Sequence, residues 1–225
     1  MSTTVEIPKL YKNKYIFPDP YDAQDSGLLA WGGGLEPKRL LQAYQNGIFP
    51  WYSKNDPILW WSPNPRLILL PHDFKVSKSL KKSRKKFTIQ YNTNFKEVIS
   101  TCKELREDTW ITDEMQEAYI ALHVQGYAKS IECYQDKKLV GGLYGLQIGS
   151  VFCGESMFSK VSDASKVALW ELCEIMQKTG GSFIDCQMPT EHLMSLGAVC
   201  IKREDFLDML FTCKDETIDL IDRGL

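Results

Sequence analysis

Apolar residues along the chain recur with two periods, and the switches between them mark the elements. Arg66–Leu70 and Phe87–Tyr91 read as strands. Asn94 caps a helix with the inward stripe Phe95, Val98, Ile99 and Cys102; Thr112 caps a second with Met115, Ala118, Tyr119 and Leu122, ended by Gly126. Alternation predicts strands at 130–134 and 139–145 joined by a hairpin through 135–138, and a further turn near 147–150 leads into the apolar stretch Phe152–Ser159. A helix follows, which Ser162 or Asp163 can cap and Gly180-Gly181 can end, then a short buried strand over 182–187. A parallel pairing of the strands on either side of this helix would bring their ends to one edge, where open sheets bind ligands. A short helix over 189–196, a strand over 198–202 and a final helix over 203–212 complete the pattern.

The first quarter of the chain is different. Residues 1–25 carry Pro8, Pro18 and Pro20 and read as irregular. Gly32-Gly33-Gly34 lies in no phosphate-loop spacing, so the Gly27–Leu35 stretch reads as a turn or a close backbone contact. Pro37 opens a helix with the stripe Leu40, Leu41 and Tyr44, ended by Gly47. The densest aromatic segment follows, with Trp51, Tyr52, Trp60 and Trp61 among Pro50, Pro57, Pro63 and Pro65, which preclude a long helix or a central strand. Such rings either form a Trp-rich core or leave one or two free to stack on a base. The pattern predicts an α+β (α/β-like) chain: a small Trp/Pro-rich N-terminal domain, residues 1–64, and a larger domain, residues 65–225.

Composition narrows the classes. Hydrophobic content of 44% and charged content of 25% are those of a globular chain, and the net charge of −2 creates no global field for nucleic acid. No apolar run reaches spanning length and no signal-peptide pattern opens the chain, which predicts a cytoplasmic protein without a membrane partner. Seven scattered cysteines without a Cys-x-x-Cys pair, and three lone histidines, offer no metal-ligand spacing; metal and cofactor are expected to be absent. One local feature stands out. Lys75, Lys78, Lys81, Lys82, Arg84, Lys85 and Lys86 form a basic run with no acid before Glu97, suited either to a solvated face or to phosphate contact.

Two stretches carry candidate chemistry. Glu155, between Gly154 and Ser156, is a carboxylate among Phe152, Met157 and Phe158, a costly placement unless the group is paired, and so a candidate pocket wall. In the strand over 182–187, simple alternation puts Asp185 and Gln187 on one face and Ile184 and Cys186 on the other. Other chemistries fit less well. Ser156 lacks the second glycine of a nucleophile elbow, and Cys186 with His192 would require the thiol to face away from Asp185 and Gln187. The hairpin-strand-helix-strand order resembles acetyltransferases of the Gcn5-related class, but Phe158–Ala164 lacks their glycine-bearing pyrophosphate loop, which counts against a CoA donor.

The more specific resemblance is to bacterial leucyl/phenylalanyl-tRNA–protein transferases. It rests on Gly47-Ile-Phe-Pro-Trp51, Pro57-Ile-Leu-Trp-Trp-Ser-Pro63, Thr109-Trp-Ile111, Leu139-Val-Gly-Gly-Leu-Tyr-Gly145, Phe152-Cys-Gly-Glu-Ser-Met-Phe-Ser159, Ala164-Ser-Lys166, Ile184-Asp-Cys-Gln187 and Ser195-Leu-Gly-Ala198, spread over roughly residues 15–210. Leu143 and Leu172 depart from members that carry Met or Phe there, which bears on pocket size. The resemblance implies ribosome-independent transfer of Leu or Phe, and also Met, from aminoacyl-tRNA to the α-amine of proteins beginning with Lys or Arg, marking them for degradation, by a monomeric enzyme without cofactor. It implies that Trp51 and Trp110 hold the terminal adenosine and that Leu143, Phe152, Met157, Leu172 and Ile184, with Ser159, form the aminoacyl site. Asp185, Gln187 and Glu155 would be its catalytic polar centre, and the basic run would hold tRNA. The competing readings are a non-catalytic RNA-binding module built on the tryptophans and lysines, and an acyltransferase with another donor.

Overall fold

The computed structural model describes residues 6–105 and 109–221. Near the N-terminus, β1 (Lys9–Leu10), β2 (Leu28–Gly32), α1 (Pro37–Gln45), β3 (Phe49–Pro50) and β4 (Leu59–Trp61) form a unit whose sheet runs β1-β2-β4-β3. The glycine-rich stretch, expected to be a turn or a close backbone contact, supplies β2. Its Ala30 is fully buried opposite Trp60, and the Trp60 indole donates to the Gly32 carbonyl at 2.9 Å. Packing of Leu29 and Ala30 outweighs the local glycine preference for turns. Pro50 lies on β3 at the edge of the sheet, where its missing N–H deprives no neighbouring strand.

The rest of the chain contributes β5 (Arg66–Leu69), α2 (Lys78–Arg84), β6 (Thr88–Tyr91), α3 (Phe95–Glu104), α4 (Asp113–Val124), β7 (Ala128–Gln135), β8 (Lys138–Ile148), β9 (Val151–Ser159), α5 (Ala164–Thr179), β10 (Phe183–Gln187), α6 (Glu191–Ser195), β11 (Val199–Ile201) and α7 (Arg203–Cys213). Seven strands form one sheet in the order β11-β5-β10-β9-β8-β7-β6. The β9–β10 pair is parallel, as the strand-helix-strand reading anticipated, and the other neighbours are antiparallel. The β7–β8 turn places Asp136 and Lys137 at φ 49° and 62°, a left-handed pair that suits the twist of a tight hairpin. Thr112 caps α4 by accepting from the Met115 amide at 3.1 Å. Within the basic run, where no element was expected, Ser77 caps α2 by accepting from the Leu80 amide at 3.1 Å, and Leu80 is buried.

Helix α5 covers one face of the large sheet, with Val167, Ala168, Leu172 and Met176 buried against it; α3, α4, α7 and the N-terminal unit cover the other. Val167, Leu172 and Met176 each contribute roughly 1.5–3 kcal/mol of burial. The approach of α5 is close: a Cβ on Gly141 would lie 2.3 Å from that of Ala164. After α7 the chain returns along the sheet. Leu220 and Ile221 are fully buried, and the Lys129 ammonium donates to Asp219 at 3.1 Å and to the Ile221 carbonyl at 3.2 Å. Among the described residues no helix is long and apolar enough to cross a membrane.

Candidate active site

Two adjacent strands each break their register beside the same cavity. Between β8 and β9, Tyr144 pairs with Ser156 and Gly145 with Gly154, so Glu155 is the extra, unpaired residue of a bulge. Between β10 and β5, Asp185 pairs with Ile68 and Gln187 with Leu67, which leaves Cys186 as the extra residue. A bulge re-aims side chains that strict alternation would send elsewhere. Gln187 reaches its position with φ at 63°, a left-handed conformation that a non-glycine residue adopts only when its surroundings enforce it.

The second bulge overturns the expectation that Asp185 and Gln187 share a face. Asp185 is 1% exposed and does not line the cavity. It receives a two-pronged bond from Arg66, Nε to Oδ1 at 2.8 Å and Nη2 to Oδ2 at 2.7 Å. The guanidinium also donates to the Gly47 carbonyl at 3.1 Å and lies between the rings of Phe49 and Phe206, at 4.8 and 4.3 Å from their centroids. Gly47 itself sits at φ 71° with Leu207 where a Cβ would be, so only glycine brings this carbonyl to Arg66. Asp185 nevertheless acts on its neighbour: Oδ1 accepts the Gln187 amide N–H at 3.0 Å, pinning the left-handed turn that aims the Gln187 side chain.

The Gln187 side chain reaches the first bulge, where Nε2 donates to Glu155 Oε1 at 2.8 Å. Tyr44 of α1 meets the same oxygen at 2.6 Å, Tyr119 of α4 meets Oε2 at 2.9 Å, and the two phenols touch each other. Burial is the main influence on Glu155 and raises its pKa to about 7; the Tyr44, Tyr119 and Gln187 bonds pull the other way, and the charge of Asp185 adds to the rise. Burial, followed by the charge of Glu155, holds both tyrosines well above the usual phenol range.

Around this polar centre lies a cavity of about 490 Å³ walled by Leu143, Phe152, Met157, Leu169, Leu172 and Ile184. Trp51 and Trp110 stand in its lining; Trp51 is 41% exposed, backed edge-on by Trp61 at 5.6 Å, and its carbonyl accepts the Trp61 indole N–H at 2.6 Å. Of the tryptophans in the aromatic segment, then, Trp60 is core and Trp51 presents a ring at the cavity. Ser159, expected at the aminoacyl site, is not in the lining. Its hydroxyl accepts the Ser165 amide at 3.1 Å and so caps α5, a task expected of Ser162 or Asp163; Asp163 makes no cap bond and instead accepts from Ser83 at 2.8 Å. The basic run divides likewise. Lys75, Lys78, Lys81, Lys82, Lys85 and Lys86 are exposed, whereas Arg84 pairs with Glu171 at 2.5 Å and, with Ser83, ties α2 to α5.

Sequence comparison fits this geometry. The family model described as "Leucyl/phenylalanyl-tRNA protein transferase" matches residues 68–211, and that of its N-terminal domain matches residues 33–64. The chain belongs to the leucyl/phenylalanyl-tRNA protein transferase family. Relatives bearing the name leucyl/phenylalanyl-tRNA–protein transferase include one from Sulfurimonas denitrificans, 55% identical over 208 residues (91% of each chain). Another, from Legionella pneumophila strain Corby, is 57% identical over 204 residues (89% of this chain, 92% of the relative). A third, from Vibrio campbellii, is 48% identical over 214 residues (92% and 91%). The chain is therefore an aminoacyltransferase of the tRNA-to-protein type.

Several residues in or behind the cavity of this leucyl/phenylalanyl-tRNA protein transferase family member were not anticipated. Tyr44 and Tyr119 were read as core stripes of their helices, which they are, but their hydroxyls reach past the stripe to Glu155. Leu169, Cys186, Met188, Thr190, His192 and Leu193 join the lining because α5 and the segment after β10 both skirt it. Burial, and next the charge of Lys166, keep His192 below the usual histidine range. A signal for Tyr44 existed in the buried carboxylate itself, which needs donors, but nothing local says which ones.

Proposed function

We propose that the cavity is the aminoacyl-transfer site, taking Leu, Phe or Met from tRNA to the α-amine of proteins that begin with Lys or Arg and so marking them for degradation. The observation that carries this reading is the pairing of Gln187 with Glu155 at 2.8 Å inside a largely apolar cavity whose lining includes two tryptophans. An unbranched or aromatic aminoacyl side chain seats among Leu143, Phe152, Met157, Leu172 and Ile184, and the terminal adenosine stacks on Trp51 and Trp110. The six exposed lysines of the basic run hold tRNA phosphates without reading sequence.

The donor ester is already activated, so alignment supplies much of the rate and no cofactor is called for. An α-amine titrates near 8, so roughly a tenth is neutral at pH 7, while a lysine ε-amine offers far less. Gln187 gives an amide hydrogen to Glu155, which leaves its carbonyl oxygen to accept from the incoming amine and aim the lone pair. Attack forms the C–N bond and breaks the ester C–O bond. The amine proton ends on the departing ribose oxygen by way of the tRNA's own 2′-hydroxyl, since an amide cannot hold it at neutral pH. Asp185 acts at one remove, through Arg66 and the Gln187 backbone. We read the enzyme as a cytoplasmic monomer.

The test is direct. Leucyl-tRNA and an Arg-initiated peptide should give a peptide one leucine heavier by mass spectrometry. Tight tRNA binding without that product would favour the non-catalytic RNA-binding reading.

A further inference from the structure

Four consecutive residues of β9, Gly154, Glu155, Ser156 and Met157, line the cavity, and so do Cys186 and Gln187 in succession on β10. Successive side chains of a strand point to opposite faces, so a cavity on one face of the sheet would take only alternate residues. This cavity lies at the strand edges. Strand pairing says the same. β9 and β10 pair from Val151–Phe183 to Cys153–Asp185 and no further, while β9 stays paired with β8 to Ser159. Beyond Cys153 the two strands diverge, and among the described residues no strand takes up the freed edge of β9. The cavity therefore passes through the sheet. Leu143, Phe152, Leu172 and Ile184 belong to the core on the α5 side; Phe49, Trp110 and Trp61, which backs Trp51, belong with the core on the other.

On that edge sits a glycine that the rest of the protein does not require. A Cβ on Gly142 would lie 2.7 Å from the Ile131 carbonyl oxygen, and one on Gly145 2.2 Å from that of Cys153, so neighbouring strands exclude side chains there. A Cβ on Gly154 would meet nothing nearer than the Asp185 carbonyl oxygen at 3.6 Å, an ordinary contact, and Gly154 is not among the residues with left-handed φ. Glycine inside a strand weakens it, and where neither conformation nor packing calls for one it marks the close approach of another group.

We infer that Gly154 is a positioning residue for the donor: the α-carbon of the aminoacyl group passes between β9 and β10 beside it, with the donor's α-amine and ester carbonyl bonded to the free main-chain edge of residues 154–157. This deepens the transfer reading and rests on it. The adenosine sits with Trp51 and Trp110 on one side of the sheet, and the aminoacyl side chain among Leu143, Phe152 and Leu172 on the other. The unit that joins them lies at the level of the strands. It consists of an amine and a carbonyl, and a free strand edge offers their complements, C=O acceptors and N–H donors, as it would to another strand. Main-chain bonds ignore the side chain, so Leu, Phe and Met are held alike at this point while the apolar wall sorts them. A donor whose amine is blocked or missing suits the wall and the tryptophans but not the edge.

The experiment measures affinity for uncleavable adenosine analogues bearing leucine, N-formyl-leucine or isocaproate (leucine without its amine), in the wild type and in Gly154→Ala, beside adenosine alone and a thermal melt. The wild type should bind the N-formyl and amine-free analogues at least about tenfold more weakly than the leucyl one, the loss expected when a buried main-chain group is left without its partner. Gly154→Ala should melt at or above the wild-type temperature and bind adenosine alone as the wild type does. Its affinity for the leucyl analogue should fall at least about tenfold, as crowding of a filled site predicts, and transfer at subsaturating leucyl-tRNA should fall in step. Equal wild-type affinities for the leucyl and amine-free analogues, or wild-type affinity for the leucyl analogue in Gly154→Ala, would overturn the inference. Should Gly154→Ala melt lower, the wild-type comparison decides alone. A wild type that gives no lengthened peptide from leucyl-tRNA is a failure of the transfer reading; lengthened peptide alongside equal analogue affinities is a failure of this inference only.

Discussion

Asp185 and Gln187 lie two residues apart on β10, yet their side chains occupy different environments: Asp185 bonds Arg66 in the core, while Gln187 bonds Glu155 at the cavity. What joins them is one backbone bond, the Gln187 N–H to Asp185 Oδ1 at 3.0 Å. The carboxylate supports the conformation of the amide and does not line the cavity.

Different defects should therefore follow from substitution at the two positions. Asp185→Asn leaves Arg66 buried and uncompensated, and breaking a buried pair costs roughly 3–5 kcal/mol. Its urea midpoint should fall along with transfer. Gln187→Ala should keep a near wild-type midpoint. Equal midpoints for Asp185→Asn and wild type would mean that Arg66 does not depend on this partner.

The cavity should select by shape at the β-carbon. Its wall of Leu143, Phe152, Met157, Leu172 and Ile184 offers the donor side chain no polar partner, and one methylene is worth about 1–3 kcal/mol there. Transfer from leucyl-, phenylalanyl- or methionyl-tRNA should exceed transfer from isoleucyl- or valyl-tRNA by at least about tenfold. Equal single-turnover rates for Leu and Ile would contradict this lining.

Charge removal should separate the lysines from Arg84. Replacing Lys78, Lys81 and Lys82 with Gln should weaken tRNA binding and flatten its salt dependence, each lost phosphate contact reducing the slope by about 0.7–0.9. Arg84→Gln should chiefly lower stability, because its partner Glu171 is largely buried. Thermal melts beside salt titrations of tRNA binding distinguish the two outcomes.

Glu155 should also leave a signature in stability. Its pKa is about 7 in the folded protein against 4.5 for the free group, so between those values the folded state binds more protons than the unfolded one. Stability is then lost as pH rises through this window, by on the order of 3 kcal/mol at most. Glu155→Gln removes the titration, so relative to wild type it should gain stability at pH 8 over pH 5. Denaturation midpoints that respond equally to pH in both proteins would show that this carboxyl does not titrate there.

Much of this arrangement was legible in the chain and some of it was not, for physical reasons. Periodicity located α3, α4, α5 and the β7–β8 hairpin because their apolar stripes are long and their caps, such as Thr112, are local. It missed β2, whose strand state depends on Trp60 across the sheet, and α2, whose single buried residue is Leu80. The apolar pocket wall and Glu155 were readable because a carboxylate among large apolar side chains is conspicuous. The placement of Asp185 and Ser159 outside the cavity lining was not legible because each depends on a nonlocal event: a bulge set by pairing with β5, and the entry of α5 beside the end of β9. Tyr44 and Tyr119 stand 111 and 36 residues from Glu155, and no local pattern brings them together.

The most direct test of the account is single-turnover transfer by Gln187→Ala, from leucyl-tRNA to an Arg-initiated peptide, beside its affinity for an uncleavable leucyl-adenosine analogue. If Gln187 aims the amine, the transfer rate should fall on the order of 10²–10³-fold, as when a preorganised polar partner is removed, while analogue affinity stays at the wild-type value. A near wild-type rate, or a rate lost in step with donor affinity, would contradict the assignment of Gln187 to the incoming amine.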